Sequence, residues 1–228
     1  MVQRPADNHR SADWVTKMRW LAYIISFVAY VAATTAISHA GSFGVEVTLA
    51  VAAILMFIVT LIHELGHAVA VSQLGGSIHK IMVFPFQFDV RRRRFGMATA
   101  RHSGDIGGFV SYSLDRIETS KRHIIIAGAG PAANIATAAL ATLCWAMVAQ
   151  APARAVDFTI PPSASLDGNE LSGSTIVALQ PEGHIGEAWA TAFVILSISA
   201  GLCNLLPFEG SDGSQIVRRL RGSIKVPK

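Results

Sequence analysis

The chain has 228 residues, of which 51% are hydrophobic and only 15% are charged, and its formal net charge is +4. This balance excludes an ordinary soluble domain and indicates a membrane protein. The two cysteines are too few for a disulfide framework and have no paired zinc-binding spacing.

Four apolar runs predict membrane-spanning helices, because a bilayer core about 30 Å thick takes about 20 helical residues. With their flanks, the predicted spans cover residues 18–39, 46–74, 122–149 and 186–207. The first run, with Ala40 behind it, also has features of a signal peptide, but its length favours a transmembrane anchor. We therefore expect residues 1–228 to form a single all-α polytopic membrane domain.

Basic residues are distributed unevenly between the predicted loops. Of the 19 lysines and arginines, 18 fall on one side if the four spans alternate, which is the positive-inside pattern. We therefore expect both termini and the loop 76–122 to be cytoplasmic, an external loop at 150–185 and a basic tail at 214–228. The run of arginines at 91–94 is better explained by anionic lipid than by nucleic acid, so no nucleic-acid partner is expected.

The loop 76–122 contains a predicted β-hairpin on the cytoplasmic side. Phe84, Phe86, Phe88 and Val90 share one parity within 78–90, which predicts a strand, and the arginines that follow can turn it back. Pro85 favours an edge position, where strand 82–90 could hold an extended peptide by main-chain pairing. The alternative is an amphipathic flap on the membrane surface.

The second apolar run contains the segment HELGH at residues 63–67. On a helix, His63 and His67 share a face and can bind one metal ion, with Glu64 beside them. This H-E-x-x-H pattern is typical of zincins, in which the glutamate takes a proton from water. Ionisable groups are costly inside a membrane, so a functional site is favoured over a pair of core histidines.

A catalytic zinc ion normally has three protein ligands. Counting helical rise puts His63 about 22 Å from the outer face, and Asn204 on the fourth span about 24 Å from it. Pro207 and the glycines that follow allow the chain to turn at this depth. Asp212, on this turn, is the predicted third ligand; Glu209 and Asp105 remain as competing carboxylates.

Three segments together resemble the site-2 proteases, the intramembrane zinc metalloproteases. HELGH is the first, and NLLPFEGSDG at 204–213 is similar to the family pattern N-x-x-P-x-x-x-x-D-G. The third is AGAGPAANI at 127–135, which resembles the Gly-Pro-x-x-Asn segment of the family through Asn134. The chain departs from the family at Ser211, where an apolar residue is usual, and in Glu209 where a proline-rich stretch is usual.

The resemblance implies that His63, His67 and Asp212 bind one zinc ion and that Glu64 is the general base. It also suggests that Asn134 or Asn204 hydrogen-bonds the substrate or the oxyanion. Their structural alternatives are a polar contact between helices for Asn134 and a helix cap for Asn204. By simple counting, Asn134 lies deeper than the zinc, so helix tilt has to bring them together.

The expected function is zinc-dependent hydrolysis of a peptide bond in a transmembrane protein substrate, near the cytoplasmic face of the bilayer. A short chain of this kind is compatible with a multi-pass protein of a bacterial inner membrane. The alternatives are an inactive metal-binding membrane scaffold of the same fold and, as a further alternative, an ion transporter. A scaffold needs no general base, so Glu64 favours the enzyme. The sequence does not predict the oligomeric state.

Overall fold

The computed structural model describes residues 6–39, 43–98, 107–114, 119–149 and 183–223. Ala40, Asp105 and most of the predicted external loop fall outside these ranges. The elements, in chain order, are α1 (Ala6–His39), α2 (Val45–Gln73), β1 (Ser77–Val83), β2 (Phe86–Asp89), β3 (Arg94–Met97), β4 (Gly108–Ser113), α3 (Thr119–Ala149), α4 (Gly183–Leu205) and α5 (Asp212–Ser223).

In the described ranges, four helices are long and apolar enough to cross a membrane. The segments concerned are Trp14–His39, Val45–Gln73, Ser120–Ala149 and Ile185–Leu205. Large apolar side chains on their outer faces, including Phe27, Ile54 and Leu140, are more than half exposed. Lipid tails are the apolar environment that such faces require. The predicted polytopic helical fold with a small sheet is confirmed.

Small residues bring α1, α2 and α4 together around one core. Its fully or almost fully buried members are Ala33, Ile37, Ala52, Val59, Ala192 and Leu196. Alanine allows close backbone approach, and the branched side chains fill the space between the helices. The apolar part of α2 that precedes its histidines is therefore held firmly from two sides.

Helix α3 packs against the other side of α2, so closely that there is no room for a side chain at position 66 of α2. A Cβ atom at Gly66 would lie 2.7 Å from both the Ala129 carbonyl oxygen and the Ala133 Cβ. Real Cβ atoms do not come so close to other heavy atoms. Gly66, inside the HELGH segment, therefore lets α3 approach the turn of α2 that carries His63 and His67.

The four strands form one antiparallel sheet in the order β3-β2-β1-β4. Strand β1 follows α2 after a short turn, and its Val83 pairs with Phe86 of β2 and with Gly108 of β4. Phe86 also makes an edge-to-face contact with Phe57 of α2, with ring centroids 5.7 Å apart. The sheet therefore runs back along α2 from its Gln73 end.

The predicted strand 82–90 is wrong as a single edge strand. The chain turns at Phe84 and Pro85, so the segment is divided between β1 and β2. Strand β2 pairs on both sides, with β1 and β3, and the outer strands of the described sheet are β3 and β4. The predicted turn at the arginines is correct, since Asp89 pairs with Arg94 across it.

The C-terminal part of the chain differs from the prediction in one respect. Helix α4 ends at Leu205, and Asn204 lies in its last turn, within the predicted span. The predicted basic tail begins inside a helix, because α5 extends from Asp212 to Ser223. Residues 224–228 lie outside the described ranges.

Candidate metal centre

Two histidines of α2 lie next to each other inside the membrane-spanning bundle. His63 and His67 are 6% and 8% exposed, and their Nε2 atoms are 3.2 Å apart. One helical turn separates them, so the two rings project from the same face of α2. Two imidazoles this close together in an apolar bundle need a third polar group that can interact with both of them.

Asp212, the first residue of α5, provides that group. Its Oδ2 lies 3.0 Å from His63 Nε2 and 3.3 Å from His67 Nε2. Burial of Asp212 opposes its negative charge, but the hydrogen bonds with His63 and His67 outweigh burial and hold the pKa of this carboxyl below its ordinary value. Asp212 therefore faces the two imidazoles as a carboxylate.

The spacing of these three atoms suits a zinc ion. Ligand atoms about 2.0 to 2.1 Å from a tetrahedral zinc lie about 3.3 Å from one another. The three observed separations are 3.0, 3.2 and 3.3 Å. Within the described residues, His63, His67 and Asp212 form the group of His, Cys, Asp or Glu side chains whose ligand atoms lie close enough together to hold a metal ion. Two imidazoles and one carboxylate are a catalytic zinc donor set.

The other ring nitrogens of the histidines have partners on α3. His67 Nδ1 lies 2.7 Å from the Ile126 carbonyl oxygen, and His63 Nδ1 lies 3.3 Å from the Asn134 amide. A carbonyl acceptor fixes the proton on Nδ1 of His67 and leaves Nε2 free to bind a metal. The predicted interhelical contact of Asn134 is thus present, and its partner is His63.

Gly130 of α3 covers the histidine pair without a side chain. A Cβ atom at this position would lie 2.8 Å from His63 Nε2 and even closer to His67 Nε2. Any larger residue would therefore occupy the space in which the ligand atoms converge. This explains physically why the segment AGAGPAANI is rich in small residues at this level of α3.

The turn that leads to Asp212 is closed by Ser211, whose exposure is only 2%. The Ser211 hydroxyl lies 2.6 Å from the Leu206 carbonyl oxygen and 2.7 Å from that of Phe208. It also accepts hydrogen bonds from the backbone N–H groups of Phe208 and Ser214, at 3.2 and 3.1 Å. The Ser214 contact makes Ser211 the N-cap of α5. The departure from the family pattern at Ser211 therefore has a structural role beside Asp212.

Glu64 is 5% exposed and lies between the histidines and the start of β4. A Cβ atom at Gly108 would lie 2.7 Å from Glu64 Cγ and 2.8 Å from its Oε1. The backbone of the outer strand β4 therefore passes directly over the carboxylate. A peptide held along β4 would come within reach of Glu64.

Two of the three remaining sequence candidates lie in the described residues. Glu209 is exposed and does not belong to the metal-binding group. Asn204 is half-buried in the last turn of α4. Asp105 falls outside the described residues, so its competing role is untested.

Three contributors to the site were not predicted from the sequence: the Ile126 carbonyl, the Gly108 backbone and the Ser211 cap. A backbone group has no side-chain signature, which explains the first two. The Ser-x-x-Ser spacing before an amphipathic segment could have indicated the Ser211 cap.

Comparison with protein families found a match to peptidase family M50 over residues 51–227. The chain belongs to peptidase family M50. The resemblance to the site-2 proteases is thereby confirmed, and the protein is a membrane metallopeptidase of this family. The matched M50 region includes both histidines, Asn134 and Asp212. Comparisons with curated proteins and with solved structures found no match.

Proposed function

We propose that this M50 peptidase hydrolyses a peptide bond within or near a transmembrane segment of a membrane protein, using one zinc ion. The observation that carries the proposal is the convergence of His63, His67 and Asp212 beside the buried Glu64, inside four apolar helices. Ionisable groups at such a depth are costly unless they serve a function.

The residues divide the work as follows. His63, His67 and Asp212 would hold the zinc ion through their converging Nε2 and Oδ2 atoms. Zinc, when bound, lowers the pKa of water towards about 7 and polarises a carbonyl. Glu64 accepts the proton of the attacking water and returns it to the leaving amine.

Asn134 acts by orienting His63. If His63 Nε2 binds the ion, its Nδ1 carries the proton and needs an acceptor. Within the described structure, the Asn134 side-chain oxygen is buried without a hydrogen-bond partner, while its nitrogen faces His63. Rotating the Asn134 amide by half a turn exchanges its oxygen and nitrogen without changing its shape. The oxygen can then accept a hydrogen bond from His63 Nδ1. The predicted contact to the substrate or oxyanion is then left to Asn204, whose amide is partly exposed.

Strand β4 is the edge that receives the substrate. Within the described sheet it pairs on one side only, with β1. A helical substrate hides its carbonyls in its own hydrogen bonds, so cleavage requires an extended stretch. Main-chain pairing along β4 would hold such a stretch, and Gly108 would direct it towards Glu64. The capture role predicted for strand 82–90 is thus proposed for β4.

The site lies nearer the Gln73 end of α2 than its Val45 end. Ten residues from His63 to Gln73 correspond to about 15 Å. If the four spans alternate, 18 of the 19 basic residues fall on the Gln73 side, which the positive-inside rule assigns to the cytoplasm. We therefore propose cleavage near the cytoplasmic face and cytoplasmic termini, in a bacterial inner membrane.

Zinc per chain in detergent-purified protein tests the site. We expect about one zinc ion in wild type and in Glu64→Gln, and loss of zinc in His67→Ala and Asp212→Ala. Glu209→Gln is the matched carboxylate control and should keep its zinc. Retention in Asp212→Ala with loss in Glu209→Gln would reassign the third ligand.

Cleavage of model single-span peptides then separates enzyme from scaffold. Wild type should cut peptides that carry a helix-breaking residue in their span, and Glu64→Gln with a full zinc complement should not. Zinc-loaded wild type that cuts none of them would support the scaffold alternative.

A further inference from the structure

The sheet has one aromatic face and one charged face. On one face Phe86 pairs with Met97 and Phe88 with Phe95; Phe95 and Met97 are each 69% exposed. On the other face Lys80 pairs with Asp89 of β2 and with Ser111 of β4. Alternation along each strand separates the two sets.

The position of the sheet places these faces at defined depths. Its Val83 and Phe86 end reaches Glu64 and Phe57 of α2, inside the membrane span. Asp89 and the arginine turn lie about 10 Å back along β2, towards the Gln73 end of α2. The aromatic face therefore reaches the depth of acyl chains, and the arginines lie closer to the Gln73 end of α2.

The charged face contains a cavity of about 650 Å³, a size typical of ligand sites. Its lining residues are His79, Lys80, Asp89, Arg91, Arg92 and Ser111. A second cavity of about 240 Å³ shares part of this wall and adds Arg94. Four cations thus surround one carboxylate, and none of the four forms an ion pair within the described residues.

Two local features shape the backbone of the cavity wall. The Asp89 carboxylate accepts the Arg92 backbone N–H at 2.9 Å, so part of its hydrogen-bonding capacity closes the turn. The pairing of β1 with β4 shifts register between Ile78 and Lys80, so His79 is the extra residue of a β-bulge. The turn and the bulge thus fix the backbone that carries the cations of the cavity.

We propose that this cavity binds the phosphate group of an anionic phospholipid. Guanidinium groups match phosphate oxygens in geometry and charge. Free phosphate shares this chemistry. The exposed aromatic residues on the opposite face, at acyl-chain depth, assign the lipid as the source. Bound lipid would link the arginine turn to β1 and so hold the sheet against α2.

Native mass spectrometry of the full chain in detergent, titrated with phosphatidylglycerol, tests the proposal. We expect saturable binding to wild type and about tenfold weaker binding to the double variant Arg91→Gln/Arg92→Gln. The control, Arg218→Gln/Arg221→Gln, removes the same charge from exposed positions on α5 and should bind as wild type does. Zinc content and melting temperature should be unchanged in both.

Equal loss in the two double variants would mean diffuse surface attraction and would overturn the site. Inorganic phosphate tests the source: binding to wild type with the affinity of the lipid would overturn the assignment to a membrane lipid. Phosphatidylcholine, which has no net charge, should bind more weakly than phosphatidylglycerol. None of these measurements depends on proteolysis, so the same lipid binding is expected for Glu64→Gln.

Discussion

The hydroxyl of Ser211 provides the sharpest test of how the third ligand is positioned. Ser211→Ala removes the only polar atom of a side chain that is 2% exposed and lies directly before Asp212. One hydroxyl has one proton and two lone pairs, so it can donate to Leu206 or Phe208 while accepting from Phe208 and Ser214. Alanine leaves these backbone groups without it.

The expected cost is about 2 kcal/mol. Loss of an N-cap costs about 0.5 to 2 kcal/mol, and a buried group left without a partner costs about 1 to 3 kcal/mol. Without the ion, the turn at 206–211 can relax and avoid this cost. With zinc bound, the turn must keep its shape, so the cost reduces the free energy of zinc binding. At about 1.4 kcal/mol per tenfold change, zinc affinity should fall about 30-fold.

Competition with a chromophoric chelator measures that affinity in detergent. The absorption spectrum of the cobalt-substituted protein reports ligand geometry and should also change. Ser197→Ala is the matched control, because Ser197 is fully buried and its hydroxyl has no hydrogen-bond partner within the described structure. A lower melting temperature with unchanged zinc affinity and cobalt spectrum in Ser211→Ala would refute the positioning role.

Three further substitutions separate metal binding from catalysis. Gly130→Ala should abolish zinc binding, because its Cβ would enter the space between the histidine rings, whereas Gly128→Ala, with nothing within 4 Å, should keep zinc. Gly108→Ala should retain zinc but reduce kcat at least tenfold, because its Cβ would displace Glu64. Gly107→Ala, whose Cβ makes an ordinary contact, should leave kcat unchanged. Equal kcat values in the two variants would contradict the contact between Gly108 and Glu64. Asn134→Ala should weaken zinc binding by about 10- to 100-fold, as loss of a partner that orients a ligand does, and chelator competition would show it.

Much of the helical frame was predictable, because membrane thickness constrains helix length strongly. Hydropathy alone located the four long apolar helices to within a few residues, apart from the start of α1. The depth count that placed Asp212 near His63 worked because both α2 and α4 extend in the same direction from the same face. The contact of Asn134 with His63 required helix tilt, which no residue count contains.

The sheet and α5 were harder to predict, for different reasons. Strand order depends on pairing between distant segments, and β4 follows β3 only after a stretch outside the described residues, so nothing local indicated that β4 would flank β1. Helix α5 is short, and its apolar residues Ile216, Val217 and Leu220 lie among arginines that resemble a solvated tail. The cap at Ser211 was the local signal for its start.

The proposed ligands come from two distant parts of the chain: His63 and Asp212 are 149 positions apart in sequence. During synthesis, the two histidines enter the membrane long before the carboxylate is made. A nascent chain that ends before α5 therefore has two ligands and an incomplete site, and it cannot hold the ion as the finished protein does. We therefore expect the three proposed ligands to come together only after α4 is inserted and α5 has folded against α3, so the site would be the last part of the protein to be completed.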